Sequence, residues 1–211
     1  MQKRIKWGAA LAALVLSLGL LAGCGNQGRE TVSSNEESNV TGELLSGKHH
    51  AEIEVQDYGT ISVELDADIA PITVTNFVNL VNSGFYDGLT FHRVVPGFVL
   101  QGGDPEGNGT GGSGQTIEGE FSDNGHENSI SHTRGVISMA RSQNYNSASS
   151  QFFIVLEDAS YLDGQYAAFG YVTEGMELVD KICEETPVAD MSSGYVNPED
   201  QPVITTIKMI D

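Results

Sequence analysis

Short runs in which apolar and polar residues alternate dominate the chain after about residue 50. The alternation is clearest in Ile53-Glu54-Val55 and in Ile61-Ser62-Val63-Glu64-Leu65, where every second side chain would face one side of a sheet. Strands are predicted at residues 51–56, 60–65, 90–95, 98–101, 135–139, 152–155, 168–172 and 204–210. Because these strands do not alternate regularly with helices, the pattern favours an antiparallel barrel over a doubly wound parallel sheet.

Two segments have a helical period instead. In residues 71–81, apolar side chains recur at Val74, Phe77, Val78 and Val81, and Pro71 suits the first turn of a helix. Residues 174–183 repeat this pattern, with apolar residues at positions 176, 178, 179 and 182. The sequence therefore predicts two helices in addition to the strands.

The first residues have the pattern of a targeting signal. Lys3, Arg4 and Lys6 precede an apolar run from Gly8 to Ala22, and Cys24 follows. This arrangement resembles the bacterial lipoprotein signal, which implies a signal peptide at residues 1–23, a diacylglyceryl and palmitate anchor on Cys24, and a position on the extracytoplasmic face of the cell membrane. An uncleaved signal anchor is the alternative, but the apolar run is shorter than the ~20 residues that a spanning helix needs.

Residues 24–48 form the next region. They are poor in apolar residues and lack periodicity, so we expect a lipid-anchored flexible linker. Residues 49–211 then have a length that suits one domain with one core. With Cys24 lipidated, Cys183 has no partner for an intramolecular disulfide.

Charge and composition narrow the classes of partner. The formal net charge of −19 argues against binding of nucleic acid and against docking on anionic lipid through basic patches. His126 and His132 lie in polar sequence without a third ligand nearby, so a zinc site is not expected. We expect a monomer that needs no metal and no other cofactor.

The stretch from Phe91 to Asp104, F-H-R-V-V-P-G-F-V-L-Q-G-G-D, is the most informative for chemistry. It places Arg93 and Gln101 on either side of a Pro-Gly break, which favours a turn between two short strands. Burial of an arginine without partners is very costly, so the polar pair beside Phe98 indicates a wet, partly apolar groove.

This stretch resembles the signature of the cyclophilin-type peptidyl-prolyl isomerases, F-H-R-x-x-P-G-F-x-x-Q-G-G-D. Residues 135–141 with 149–154, and residues 161–170, resemble two further motifs of that family in the same order. The likeness extends from about residue 51 to residue 211.

The resemblance implies a mainly β fold, a closed eight-stranded antiparallel barrel capped by two helices. It also implies a prolyl cis–trans isomerase that acts on proline-containing, unfolded or partly folded secreted or envelope proteins and assists their folding. The alternative is a non-catalytic module of the same fold that binds proline-containing peptides as a chaperone or scaffold.

The resemblance also implies roles for individual residues. Arg93 would be the catalytic residue, and Gln101 would orient either the substrate carbonyl or Arg93 itself. The floor for the proline ring would consist of Phe98, Val99, Phe153, Leu162 and Tyr166, and the neighbouring subsite of Ala140, Arg141 and Gln151. Without the resemblance, Phe98, Phe153 and Leu162 would be interpreted as ordinary core residues and Arg93 as part of a surface ion pair.

Three positions depart from the pattern of many family members. Tyr161 replaces a tryptophan, which implies weak inhibition by cyclosporin. Tyr166 replaces a histidine but keeps an aromatic wall, and Arg141 replaces an asparagine and adds a charge to the subsite. His92, which strand parity turns away from Arg93, is predicted to be a packed, hydrogen-bonded structural histidine.

Overall fold

The computed structural model describes residues 43–211. The predicted signal peptide, Cys24 and most of the predicted linker therefore lie outside the described residues. The end of the predicted linker contacts the domain, because the Leu45 amide donates to Thr75 Oγ1 at 2.9 Å and the Gly47 amide donates to Asp68 Oδ1 at 2.7 Å. The first strand begins at Lys48.

All strands of the described region belong to one antiparallel sheet. Their order across the sheet is β10-β1-β2-β7-β5-β6-β4-β3-β9-β8. The strands are β1 (Lys48–Val55), β2 (Gly59–Asp66), β3 (Thr90–Val95), β4 (Val99–Asp104), β5 (Val136–Met139), β6 (Phe152–Val155), β7 (Ala168–Glu174), β8 (Val188–Asp190), β9 (Tyr195–Val196) and β10 (Ile204–Met209).

The two predicted helices are present as α1 (Pro71–Asn82) and α2 (Met176–Glu185). The α2 helix begins two residues later than predicted, because Glu174 still pairs with Ser62 as the end of β7. Gly175 then adopts a left-handed φ of 91°, which separates the strand from the helix. Short 3₁₀ turns lie at Ser122–Asn124, Ser160–Leu162 and Pro198–Asp200.

The expected mainly β fold with two helices is confirmed, but the closed eight-stranded barrel is not. The sheet has ten strands, and within residues 43–211 no ladder pairs β8 with β10, the two strands at its ends. An isolated bridge from Thr90 to Val203 links the beginning of β3 to the residue before β10. The prediction missed β8 and β9 because strands of three and two residues are too short to show alternation.

The α1 helix shows how long-range contacts complete a local element. Phe77 packs among the rings of Tyr86, Phe152 and Phe169, with centroids 5.2–5.7 Å away. Ala70, which precedes the helix, makes no side-chain capping bond. Instead, the buried Glu120 carboxylate accepts the amides of Ile72 at 2.9 Å and Thr73 at 2.8 Å.

A second, smaller apolar cluster lies apart from the main core. Its buried members include Val99 and Phe153, and Phe98, Leu162 and Tyr166 pack against it while remaining partly exposed. An apolar cluster that reaches the surface in this way can present a floor to a ligand.

Candidate active site

The strands β3, β4 and β6 bring together three of the predicted site residues. Arg93 of β3 lies opposite Gln101 of β4, and Gln101 lies opposite Phe153 of β6. Paired residues on adjacent strands project to the same face, so their side chains meet. Arg93 Nη1 donates to Gln101 Oε1 at 3.0 Å.

A second contact holds the Arg93 guanidinium from a distant loop. Arg93 Nε donates to the Ser193 carbonyl at 2.7 Å, in the turn between β8 and β9. The guanidinium carbon lies 5.9 Å from the centroid of the Phe98 ring, within the range of a cation–π contact. Burial lowers the pKa of Arg93 from its usual value, but an arginine remains protonated throughout the physiological range.

A hollow of about 220 Å³ with an apolar floor opens beside this guanidinium. Nine residues line it, and every one of them was singled out from the sequence: Arg93, Phe98, Val99, Gln101, Ala140, Arg141, Phe153, Leu162 and Tyr166. Phe98, Leu162 and Tyr166 are half-buried rather than fully enclosed, so they can contact a ligand. The exposed Tyr161 stacks against Phe98, with the ring centroids 6.0 Å apart.

Gln151 lies beside this hollow and does not line it. Gln101 Nε2 donates to Gln151 Oε1 at 3.0 Å, and Gln151 Nε2 donates to the Gly111 carbonyl at 2.8 Å. A polar chain therefore runs from Arg93 through both glutamines to Gly111, in the glycine-rich segment of residues 107–114. Gln151 and Gly111 line an adjoining, more polar hollow of about 190 Å³, which shares Gln101, Ala140 and Arg141 with the first.

Two groups that support the site were not predicted from the sequence. Ser193 lies 100 positions from Arg93 in a polar turn, and it binds through its backbone carbonyl, which any residue type could supply. Ser138, His132 and Asp163 form a hydrogen-bonded chain beneath Phe153, whose ring stacks on His132 with the centroids 6.1 Å apart. Only the dispersed polar positions in the sequence hint at this second group.

The chain of Ser138, His132 and Asp163 superficially resembles the triad of a serine hydrolase. His132 Nδ1 lies 2.8 Å from Asp163 Oδ1, and Nε2 lies 2.9 Å from Ser138 Oγ. However, Ser138 is completely buried, and a nucleophile must reach its substrate. Burial lowers the pKa of His132 despite the neighbouring Asp163 carboxylate, so the neutral ring is favoured. The buried Ser138 and His132, held in place by the exposed Asp163, support the Phe153 ring.

The prediction for His92 is half wrong. The ring is packed as expected, with 2 % of its surface exposed. Neither ring nitrogen, however, has a hydrogen-bond partner among residues 43–211. The neighbouring Asp104 carboxylate accepts the backbone amides of Glu106, Asn108 and Gly109. Burial lowers the pKa of His92, and the neutral ring is therefore favoured.

Two further features, a metal-binding group and a membrane-spanning helix, are absent from the described part of the chain. In residues 43–211, no group of three or more His, Cys, Asp or Glu side chains is arranged to hold a metal ion. No helix in this same region is both long enough and apolar enough to span a membrane.

Solved structures share this fold. A cyclophilin type peptidyl-prolyl cis-trans isomerase from Cryptosporidium parvum matches with a TM-score of 0.68 and 30 % identity, over 78 % of this chain and 99 % of that one. A second structure of the Cryptosporidium parvum protein, in the presence of the dipeptide Ala-Pro, matches with a TM-score of 0.67 and 31 % identity, over 77 % and 99 % of the two chains.

Sequence relatives agree with the structural match. Peptidyl-prolyl cis-trans isomerase B of Bacillus subtilis is 50 % identical over 59 % of this chain and 83 % of its own length. Peptidyl-prolyl cis-trans isomerase A of Dickeya dadantii is 42 % identical over 69 % of this chain and 76 % of its own. Residues 50–209 match the family described as "Cyclophilin type peptidyl-prolyl cis-trans isomerase/CLD". This chain therefore belongs to the cyclophilin-type peptidyl-prolyl cis-trans isomerases and is an enzyme of that type.

Proposed function

We propose that Arg93 catalyses rotation about X-Pro bonds in this protein, and that its substrates are secreted or envelope proteins that fold outside the cytoplasmic membrane. One observation carries the assignment of Arg93. Its guanidinium is fixed by Gln101 and Ser193 at the edge of a hollow with an apolar floor. This arrangement suits a proline ring in the hollow and its nitrogen near the guanidinium.

The chemistry needs no nucleophile. The X-Pro bond resists rotation with a barrier of ~18–20 kcal/mol, because the nitrogen lone pair is conjugated with the carbonyl. A hydrogen bond donated to that nitrogen as it becomes pyramidal localises the lone pair and weakens the conjugation. A preorganised, permanently charged donor in a partly dry site stabilises this transition state more than the planar ground state.

The individual contacts support a division of roles among the site residues. Gln101 holds Arg93 and is itself held by Gln151, so the donor is oriented before a substrate arrives. Phe98 and Phe153 offer apolar surface to the proline ring, next to the buried Val99. The related Cryptosporidium parvum structure determined in the presence of Ala-Pro supports proline-containing peptides as the substrate class.

The test is an isomerisation assay on a short Ala-Pro peptide with soluble protein lacking residues 1–24. Arg93→Ala should lose most of the activity and retain its unfolding midpoint. Arg134→Ala is the matched control, because it removes a guanidinium that pairs with Asp180 instead. Equal rates in wild type and Arg93→Ala would refute the role of Arg93 and favour a proline-peptide-binding module without catalytic purpose.

The location belongs to the same proposal. A lipid on Cys24 would hold a monomeric domain on the outer face of the membrane, and the intervening residues would act as a tether. The basic start, apolar run and cysteine of the sequence support this arrangement. Cys24→Ser should abolish labelling by radioactive palmitate and release the protein from the membrane fraction. Retention of membrane binding by this variant would favour an uncleaved anchor.

A further inference from the structure

The Arg141 side chain is held by groups of its own chain. Nε donates to the Gln165 carbonyl and Nη1 to the Ser142 carbonyl, each at 2.8 Å. The guanidinium carbon also lies 4.5 Å from the centroid of the Tyr166 ring and 4.7 Å from that of Tyr145. A guanidinium can stack on aromatic faces while its edge donates hydrogen bonds, which an ammonium does less well.

These contacts join two surface segments. Ser142 and Tyr145 lie in the exposed segment that follows β5, whereas Gln165 and Tyr166 lie in the turn that precedes β7. Arg141 therefore fastens one segment to the other.

Tyr166 passes this restraint on to the hollow beside Arg93. Its ring meets the ring of Phe153 edge-on, with the centroids 5.9 Å apart and an interplanar angle of 83°. Both rings line that hollow. Because Tyr166 is only half-buried, the main core does not enclose its ring, and the Arg141 contact restricts a side chain that would otherwise have freedom to move.

We propose that Arg141 is a positioning residue that acts through Tyr166: its guanidinium holds the Tyr166 ring as a wall of the proline hollow and thereby sets the affinity for proline-containing peptides. The inference rests on the proposed function, and it differs from the expectation that Arg141 contributes a charge to the subsite. Arg93 is oriented by Ser193 and Gln101, not by Arg141. Loss of Arg141 should therefore weaken peptide binding and leave unchanged the rate at which the bound peptide isomerises.

The first test compares KM and kcat for a short Ala-Pro peptide. Arg141→Gln removes the guanidinium and should raise KM about fivefold with kcat within about twofold of wild type. Arg141→Lys should be intermediate, because it keeps the charge near the rings and loses the two directed bonds. Arg134→Gln makes the same change of charge beside Asp180 and should leave both constants unaltered. A fall in kcat at unchanged KM, or no effect of Arg141→Gln, would overturn the proposal.

The second test asks whether Arg141 acts through Tyr166. In a Tyr166→Leu background, Arg141→Gln should change KM by less than about twofold, because the ring that Arg141 holds is already absent. If the fold-change in KM of the double variant equals the product of the two single fold-changes, the proposal is overturned, since Arg141 would then act on the peptide independently of Tyr166.

The dissociation constants of the peptide for wild type, the two single variants and the double variant can also be measured by NMR titration. This measurement does not depend on catalysis, so it separates the proposed role of Arg141 from the proposed catalytic function. An inactive wild type that binds the peptide with the expected coupling would refute only the proposed catalytic function. An active wild type without the coupling would refute only the role of Arg141.

Discussion

Replacement of Arg93 by lysine separates the charge of this residue from its geometry. An arginine has five N–H donors and a lysine has three. Arg93 uses its Nε donor on the Ser193 carbonyl at 2.7 Å and one Nη1 donor on Gln101 Oε1 at 3.0 Å. Among residues 43–211, the remaining N–H groups of the same rigid fork make no hydrogen bond, so they can face a substrate in a direction set by the first two bonds.

A lysine cannot reproduce this arrangement, because its donors radiate from a single nitrogen. An ammonium placed to satisfy Gln101 and Ser193 is not placed for the prolyl nitrogen. Misplacement of a reacting group by ~1 Å costs about 100-fold in rate, and loss of one preorganised donor costs about 100- to 1,000-fold. We therefore expect kcat/KM to fall about 100-fold in Arg93→Lys, or ~2.7 kcal/mol of transition-state stabilisation, and about 1,000-fold in Arg93→Ala.

The assay measures isomerisation of an Ala-Pro peptide at low temperature, together with urea unfolding of each variant. Because Arg93 is only half-buried, the free energy of unfolding should change by no more than ~1 kcal/mol. If Arg93→Lys folds normally and keeps its rate within about threefold of wild type, a positive charge alone suffices, and the claim that catalysis needs the donor geometry of the guanidinium is wrong.

Three further predictions concern groups outside the proline hollow, namely the buried His92 and Glu120 and the half-buried Cys183. Burial lowers the pKa of His92 below that of the unfolded chain, against the neighbouring Asp104 carboxylate and with the Arg93 charge. The unfolded state therefore binds the proton more readily than the folded state does. The contribution of the neutral His92 ring to the free energy of unfolding is thus fully present above about pH 6.5, and it is lost as the pH falls, at up to ~1.4 kcal/mol per pH unit. His92→Phe should reduce that slope in urea unfolding at pH 5.5–7.5, and an unchanged slope would contradict the reasoning. Glu120→Ala should lower the free energy of unfolding by ~2–4 kcal/mol, because two buried amides at the start of α1 lose their acceptor; a loss below ~0.5 kcal/mol would show that these amides find other acceptors. Burial and nearby acids raise the pKa of Cys183 to about 12, so iodoacetamide at pH 8 should alkylate it about 100-fold more slowly in the native protein than in urea. Equal alkylation rates would mean that the thiol is accessible.

Some site residues could be placed from the sequence because their neighbours along the chain position them. Arg93 and Gln101 flank one Pro-Gly break, and a tight turn makes the strands on its two sides pair. The parity of the strands then brings both side chains to one face. Phe153 and Tyr166 were assigned by resemblance to family motifs, and the structure places them around the same hollow.

Other features could not be read from local patterns. The hydrogen-bond partner expected for His92 is absent from the described residues, since strand parity predicts direction and not the chemistry of the surroundings. Arg141 lines both hollows, but local sequence could not predict that Gln165, Tyr145 and Tyr166 engage its guanidinium. Such contacts depend on loops whose paths are set by the packing of the whole domain.

The sequence by itself determined both helices and eight of the ten strands that the structure describes, and its resemblance to family motifs identified the residues that surround the proline hollow. Hydrophobic period, turn residues and motif order are properties of neighbouring positions, and they act before the chain is compact. Only the tertiary structure decided that Glu120 caps α1, that Ser193 holds Arg93 and that β8 and β9 extend the sheet. These contacts join residues far apart along the chain, and they form only where burial of the whole core offsets the entropy of closing long loops.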